Sequence, residues 1–127
     1  MVFQGIIWAG LSVHDMDREI AFFRDEVGLK FLRQGSEGDH QWAHFSAGGG
    51  ALFELFSGGI ASAEVKSAEQ QSISISFLVE NLDEVMTSMK VNGVRFLGEA
   101  GKFRNQRWAH FVDPENNRLE IKEIRSM

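Results

Sequence analysis

The stretch Gln41-Trp42-Ala43-His44-Phe45 returns as Arg107-Trp108-Ala109-His110-Phe111, an offset of 66 residues. The chain has only three Trp and four His in 127 residues, so two of each in one repeated word is a signal rather than noise. The same offset carries Val13 to Val79, Asp17 to Asp83 and Glu54 to Glu120. Each of these glutamates stands between apolar neighbours, Phe53 and Leu55 or Leu119 and Ile121. Gly28 and Phe31 reach Gly93 and Phe96 at an offset of 65, a one-residue slip after a helix. The repeat therefore predicts two copies of one supersecondary unit.

Each copy reads the same way. Residues 6–13, I-I-W-A-G-L-S-V, alternate, with Ile7, Ala9, Leu11 and Val13 on one side and Trp8, Gly10 and Ser12 on the other. Period two means a strand with one face on a core. A helix capped near Asp15 follows. It places Met16, Ile20, Phe23 and Val27 on one stripe and closes at Gly28. Strands are expected around 30–34, 41–46 and 51–56, the last two joined by the A-G-G-G turn. The second copy repeats this scheme. S-I-S-I-S-F-L-V (72–79) alternates with Ile73, Ile75, Phe77 and Val79 inward. A helix runs from Asn81 or Asp83 to Gly93, and strands follow near 94–97, 107–112 and 119–124, with D-P-E-N-N as a turn. The expected fold class is α+β, two βαβββ modules in tandem forming a cupped, partly open barrel. The chain (1–127) reads as a single domain made of module one (4–57), an exposed, mobile linker (58–70) and module two (71–126).

Composition narrows the function classes. Net charge is −5 and no Lys/Arg cluster is present, which argues against a nucleic-acid partner. With no cysteine, disulfides, thiolate metal sites and thiol catalysis are excluded. No signal-like or membrane-spanning stretch is seen, so the expectation is a cytoplasmic protein without a membrane partner.

The fourth strand of each copy fixes the candidate site. If Phe53/Leu55 and Leu119/Ile121 face the helix, Glu54 and Glu120 point the other way. A hairpin of about three turn residues at A-G-G-G then sets His44 across from Glu54, and the offset repeats the pair as His110 and Glu120. Trp42 and Trp108 share the face of their histidines. The opposite register would put Ala43 and Phe45 there instead. Trp8, Trp42, Trp108, Ser74, Phe56 and Arg104 are candidate ligand-binding residues: an aromatic lining, a hydroxyl, and a cation on the Gly98–Arg107 connection.

The segments V-H-D-M-D-R-E-I-A-F-F-R-D-E-V-G-L (13–29) and F-V-D-P-E-N-N-R-L-E-I (111–121) resemble the vicinal oxygen chelate superfamily of glyoxalase I, bleomycin resistance proteins and extradiol dioxygenases. The resemblance spans essentially the whole chain. It implies paired βαβββ modules around a cupped site, a homodimer, and metal ligands from the first and fourth strands of each module. Glu54 and Glu120 match those positions, but Trp8 and Ser74 stand where the other two ligands belong. Indole cannot ligate a divalent ion and a neutral hydroxyl is a poor ligand, so no metal is expected. His44 and His110 with Glu54 and Glu120 would make an alternative N2O2 set that the spacing permits and the resemblance does not support.

Two functions are expected from this pattern. The first is a metal-free small-molecule-binding protein, holding an aromatic or cationic ligand in a Trp/Glu/His-lined cavity. The second is a lyase or isomerase in which Glu54, Glu120, His44 and His110 are the catalytic acid–base groups, with or without a divalent metal.

Overall fold

The computed structural model describes residues 2–126, and the chain divides into two compact units, Met1–Ala61 and Ser62–Met127. The first unit runs β1 (Trp8–Val13), α1 (Met16–Ala21), a π-helical turn (Phe22–Val27), β2 (Phe31–Glu37), β3 (His40–Ser46) and β4 (Leu52–Ser57). Its sheet order is β1-β4-β3-β2, with β1 parallel to β4 and the rest antiparallel. The second unit runs β5 (Ser76–Leu78), α2 (Leu82–Val91), β6 (Arg95–Phe96), β7 (Gly101–Phe103), β8 (Gln106–Val112) and β9 (Arg118–Ile124). Its order is β5-β9-β8-β6, with β7 also paired to β8. Each unit is thus a βαβββ plan, the second unit with its second strand, the counterpart of β2, in two pieces.

The cores lie between helix and sheet. In the first unit Phe23 meets Phe53 at 5.0 Å and Phe45 at 6.2 Å between ring centres, and Ala43, Phe45, Phe53 and Leu55 are fully buried. In the second, Leu82, Met86 and Met89 of α2 are buried, as are Ala109, Phe111, Leu119 and Ile121 of the sheet. Both helices start on a side-chain cap: Asp15 accepts from Arg18 N–H, and Asn81 from Glu84 N–H. Glu123 adds a second anchor for α2 by accepting the Leu82 N–H at 3.0 Å.

Four expectations are corrected. The helix after Asp15 is not α-helical throughout; its second half widens into a π turn that ends at Gly28 in the left-handed region. Within it the adjacent Phe22 and Phe23 are both buried, their rings meeting edge to face at 5.0 Å. Ile7 and Ile73, read as inward, are both 75% exposed. Ile7 precedes β1, and of the 72–79 stretch strand β5 takes Ser76–Leu78, with Ile75 C=O and Val79 N–H also bonded to β9. Upstream of that, the Gln71 carboxamide occupies both the N–H and the C=O of Arg118, the place a strand backbone would take. The linker is also not a free tether. Ser62 N–H binds Glu115 C=O, Lys66 N–H binds Asn116 C=O, and Lys66 Nζ reaches Asn117 Oδ1 at 2.7 Å. The D-P-E-N-N turn that receives it is mostly buried, with Asp113 accepting from the Glu115 and Asn117 N–H groups and from the Asn117 amide. Finally, the Gly98–Arg107 segment, read only as a connection, contains a strand: β7 makes a hairpin with β8.

Candidate functional site

On each unit the sheet face turned away from the helix carries the candidate residues. In the first unit the hairpin of β3 and β4 closes Ala47 on Ala51 around Gly48, Gly49 and Gly50, all three with positive φ. Such a backbone suits glycine and fixes the register. His44 therefore sits opposite Glu54, and Trp42 opposite Phe56. His44 Nε2 lies 2.7 Å from Glu54 Oε1, and both side chains are about one-fifth exposed. Arg33, opposite His44 on β2, places its guanidinium NH1 2.8 Å from His44 Nδ1. Guanidinium only donates, so Nδ1 is the acceptor and the ring proton is on Nε2, given to Glu54. Trp8 Nε1 completes the chain at 3.5 Å from the same Glu54 oxygen. Arg33 was not foreseen as a site residue. Its signal was available in the pairing of β2 with β3, two residues from Gly35 opposite Trp42.

The second unit keeps the pairing and loses the chain. His110 again sits opposite Glu120, but His110 Nε2 is 3.7 Å from Glu120 Oε1, beyond hydrogen-bond length. Lys122 Nζ approaches the other Glu120 oxygen at 3.9 Å and lies 5.9 Å from the centre of the Trp108 ring. Beside this loose cluster is a cavity of about 80 Å³ lined by Ser67, Gln71, Ser74, His110, Arg118 and Glu120, among others. The position equivalent to Arg33 is Glu99, which falls in the break between β6 and β7. No strand is there to aim a donor at His110.

The tryptophans share a placement that the sequence reading did not state. Trp42 lies across Gly35, its cross-strand partner, and Trp108 lies across Gly101 in the same relation. Trp8 lies across Gly10, with Phe56 stacked at 6.4 Å. A Cβ on any of these glycines would collide with the indole, so the absent side chain is what makes room for each ring there. Trp42 also rests against the His44 ring at 4.7 Å. Trp8 remains 49% exposed. Within their units, then, Trp8, Trp42, His44, Glu54 and Phe56 share one face, while Trp108, His110 and Glu120 share another and Ser74 joins the cavity there. Arg104 stands apart. It sits at the turn between β7 and β8 with φ 56, its guanidinium over Phe103, and does not line the cavity. Arg107 is engaged as well, in a two-bond pair with Asp83 at 3.0 Å each. That pairing holds the Asp83 carboxyl below its ordinary value.

The donors do not fit a tight divalent-metal site. The Glu54 oxygen that faces the site accepts hydrogen bonds from His44 and Trp8, and an indole N–H has no lone pair to offer. Glu120 has a Lys ammonium beside it. Among the described residues, no group of three or more His, Asp or Glu is gathered to hold an ion.

Among the described residues no helix is long and apolar enough to cross a membrane. The chain is 30% identical over 120 residues to the Uncharacterized protein YraH of Bacillus subtilis (strain 168), covering 87% of this chain and 91% of that one. TnmS3, an antibiotic binding protein from Streptomyces sp. CB03234, superposes with a TM-score of 0.73 at 17% identity, covering 98% and 99% of the two chains. FosX, a genomically encoded fosfomycin resistance protein from Listeria monocytogenes solved with Mn(II) and a dihydroxypropylphosphonic acid, gives 0.69 at 20% identity, covering 94% and 90%. At these identities the solved structures speak for the fold. The family model of the Glyoxalase/Bleomycin resistance protein/Dioxygenase superfamily matches residues 5–121, and the chain belongs to that superfamily.

Proposed function

We propose that this protein binds a small molecule with a flat aromatic portion, without a metal. The observation that carries this reading is the seating of Trp8 and Trp42 over Gly10 and Gly35 in the first unit, repeated by Trp108 over Gly101 in the second. An indole left part-exposed over a glycine offers ring surface for stacking, whereas one fully buried in a core does not. Of the two ligand characters expected from sequence, the aromatic one has the better support. The Glu54 carboxylate already accepts from His44 and Trp8, and the Arg33 cation stands behind His44, so little unbalanced charge is left there for a cationic ligand. TnmS3, a structural neighbour that binds an antibiotic, shares the fold and makes such a role natural for it. Exposed Ile6, Ile7, Ile73 and Leu78 support the homodimer implied by the family resemblance.

The test is tryptophan fluorescence under titration with proflavine, a planar aromatic, against tetramethylammonium, a cation without a ring. Saturable quenching by proflavine that tetramethylammonium does not compete away is expected. Competition by tetramethylammonium, or no saturation, contradicts the aromatic reading.

A second reading has its own observation. The Arg33–His44–Glu54 chain orients one imidazole tautomer against a carboxylate, an arrangement suited to proton transfer in a lyase or isomerase acting on an oxygenated small molecule. Turnover that survives chelators and disappears in Glu54→Gln supports it. Unchanged turnover in Glu54→Gln and Glu120→Gln removes it.

A further inference from the structure

Strand β9 differs from its counterpart β4 in charge. Along β9, Arg118, Glu120 and Lys122 alternate with the buried Leu119, Ile121 and Glu123, so the three charged side chains share the face of His110 and the cavity. The equivalent positions on β4 are Leu52, Glu54 and Phe56. The glutamate is common to both strands, and where it is flanked by apolar residues in the first unit it is flanked by cations in the second. Two cations flank one carboxylate, a local sign opposite to the chain's net charge of −5.

Arg118 is held for a purpose its own contacts do not explain. Its main-chain N–H and C=O are both taken by the Gln71 carboxamide, which fixes the residue against the strap from Ser62 to Gln71. Its guanidinium has no hydrogen bond or ion pair among the described residues. Five forked donors beside a cavity form a geometry that matches oxyanions. Ser67 and Ser74 bring hydroxyls to the same cavity. A space of about 80 Å³ suits a head group and falls well short of the roughly 300–1,000 Å³ of pockets that enclose whole drug-sized ligands.

We propose that this cavity is a subsite for a small oxyanion, a carboxylate or phosphonate, gripped by Arg118 with the Ser67 and Ser74 hydroxyls, and with Glu120 setting the limit on its affinity by repulsion. The proposal rests on the ligand-binding reading above and adds the head group of the ligand. The bound ligand therefore has an anionic end in addition to its aromatic part.

The experiment is a ¹H–¹⁵N correlation titration of the full chain with acetate, methylphosphonate and methylammonium at constant ionic strength. Saturable shifts of the Gln71 side-chain amide and the Arg118 amide are expected with one or both oxyanions, and which of the two binds tighter names the head group. Arg118→Ala is expected to weaken this binding at least tenfold, and Glu120→Gln to tighten it several-fold. The Gln71 signals also report whether the strap is intact in each variant, and Glu120→Gln tests the repulsion even if Arg118→Ala disturbs the fold. The proposal is overturned by the absence of saturable shifts with either oxyanion, by tightening that fails to appear in Glu120→Gln, or by methylammonium shifts that Glu120→Gln abolishes. None of these probes has an aromatic ring, so failure here leaves the stacking result with proflavine to stand or fall alone.

Discussion

The two copies of W-A-H-F make the same cross-strand pair and put it to different use. In the first unit His44 is clamped: Arg33 donates to one nitrogen and the other donates to Glu54 at 2.7 Å. In the second unit His110 stands 3.7 Å from Glu120. The cause is one strand. β2 runs unbroken from Phe31 to Glu37 and sets Arg33 across from His44. Its counterpart is split into β6 and β7, and the residue that would face His110 lies in the gap. A duplicated motif thus fixes which residues face one another, while the neighbouring strand decides whether they are locked or left open to a ligand.

The largest effects should come where the units are alike. Phe45 and Phe111 are both fully buried at equivalent positions. Replacement of either by Ala should cost about 3–5 kcal/mol in urea unfolding. Phe45 packs on Phe23, Phe31 and Phe53, and Phe111 packs against Phe96. A cost well below this range at either position would weaken the view that the two cores are built alike. Next come the glycines under the indoles. Gly35→Val and Gly101→Val should each lift the tryptophan off its sheet, costing about 1–3 kcal/mol by crowding. Each should also weaken proflavine quenching at least tenfold if that indole is part of the stacking surface. A variant with displaced fluorescence and full binding would remove its tryptophan from the site.

Pairwise effects sharpen the contrast itself. In double-mutant cycles, His44 and Glu54 should show a coupling of about 1.5–3 kcal/mol, the scale of a hydrogen bond to a charged group in a largely buried setting. His110 and Glu120 should show less than about 0.5 kcal/mol. Comparable couplings would mean that the broken strand does not matter. The smallest concerns acid. Glu123 is held below the ordinary carboxylate range by the Leu82 N–H and by Arg125, and the equivalent residue in the first unit is Ser57. A depressed carboxyl contributes stability above its unfolded pKa, and that stability is lost as pH falls through the folded value. The second unit should therefore lose a stabilising contact on acidification that the first does not have. Glu123→Gln should lower Tm at neutral pH and flatten the acid limb of Tm against pH. An unchanged limb would assign the acid sensitivity elsewhere.

Much of this was legible in the residues. The offset of 66 exposed the duplication, the apolar flanks of Glu54 and Glu120 showed which face they take, and the glycine turn set His44 across from Glu54. Less was legible where a partner decides the outcome. Alternation in 72–79 reads as a strand, yet nothing local reveals that a glutamine side chain replaces part of the ladder. D-P-E-N-N reads as a turn, and nothing local reveals that it buries Asp113 and Asn117 and receives the strap. The offset itself held an unused clue. Gly35 maps to Gly101 beneath the second tryptophan, while Arg33 maps to Glu99, a reversal of charge at the very position that locks His44.

The most direct test of the contrast is the tautomer of the two histidines, read from long-range ¹H–¹⁵N correlations of the imidazole rings at neutral to mildly alkaline pH. His44 should appear as a single neutral tautomer with its proton on Nε2 and an acceptor Nδ1, and His110 as an exchanging mixture. In Arg33→Ala, His44 should lose this preference and come to resemble His110. A proton on His44 Nδ1, or two histidines indistinguishable in the unmutated protein, would contradict the locked and open assignment.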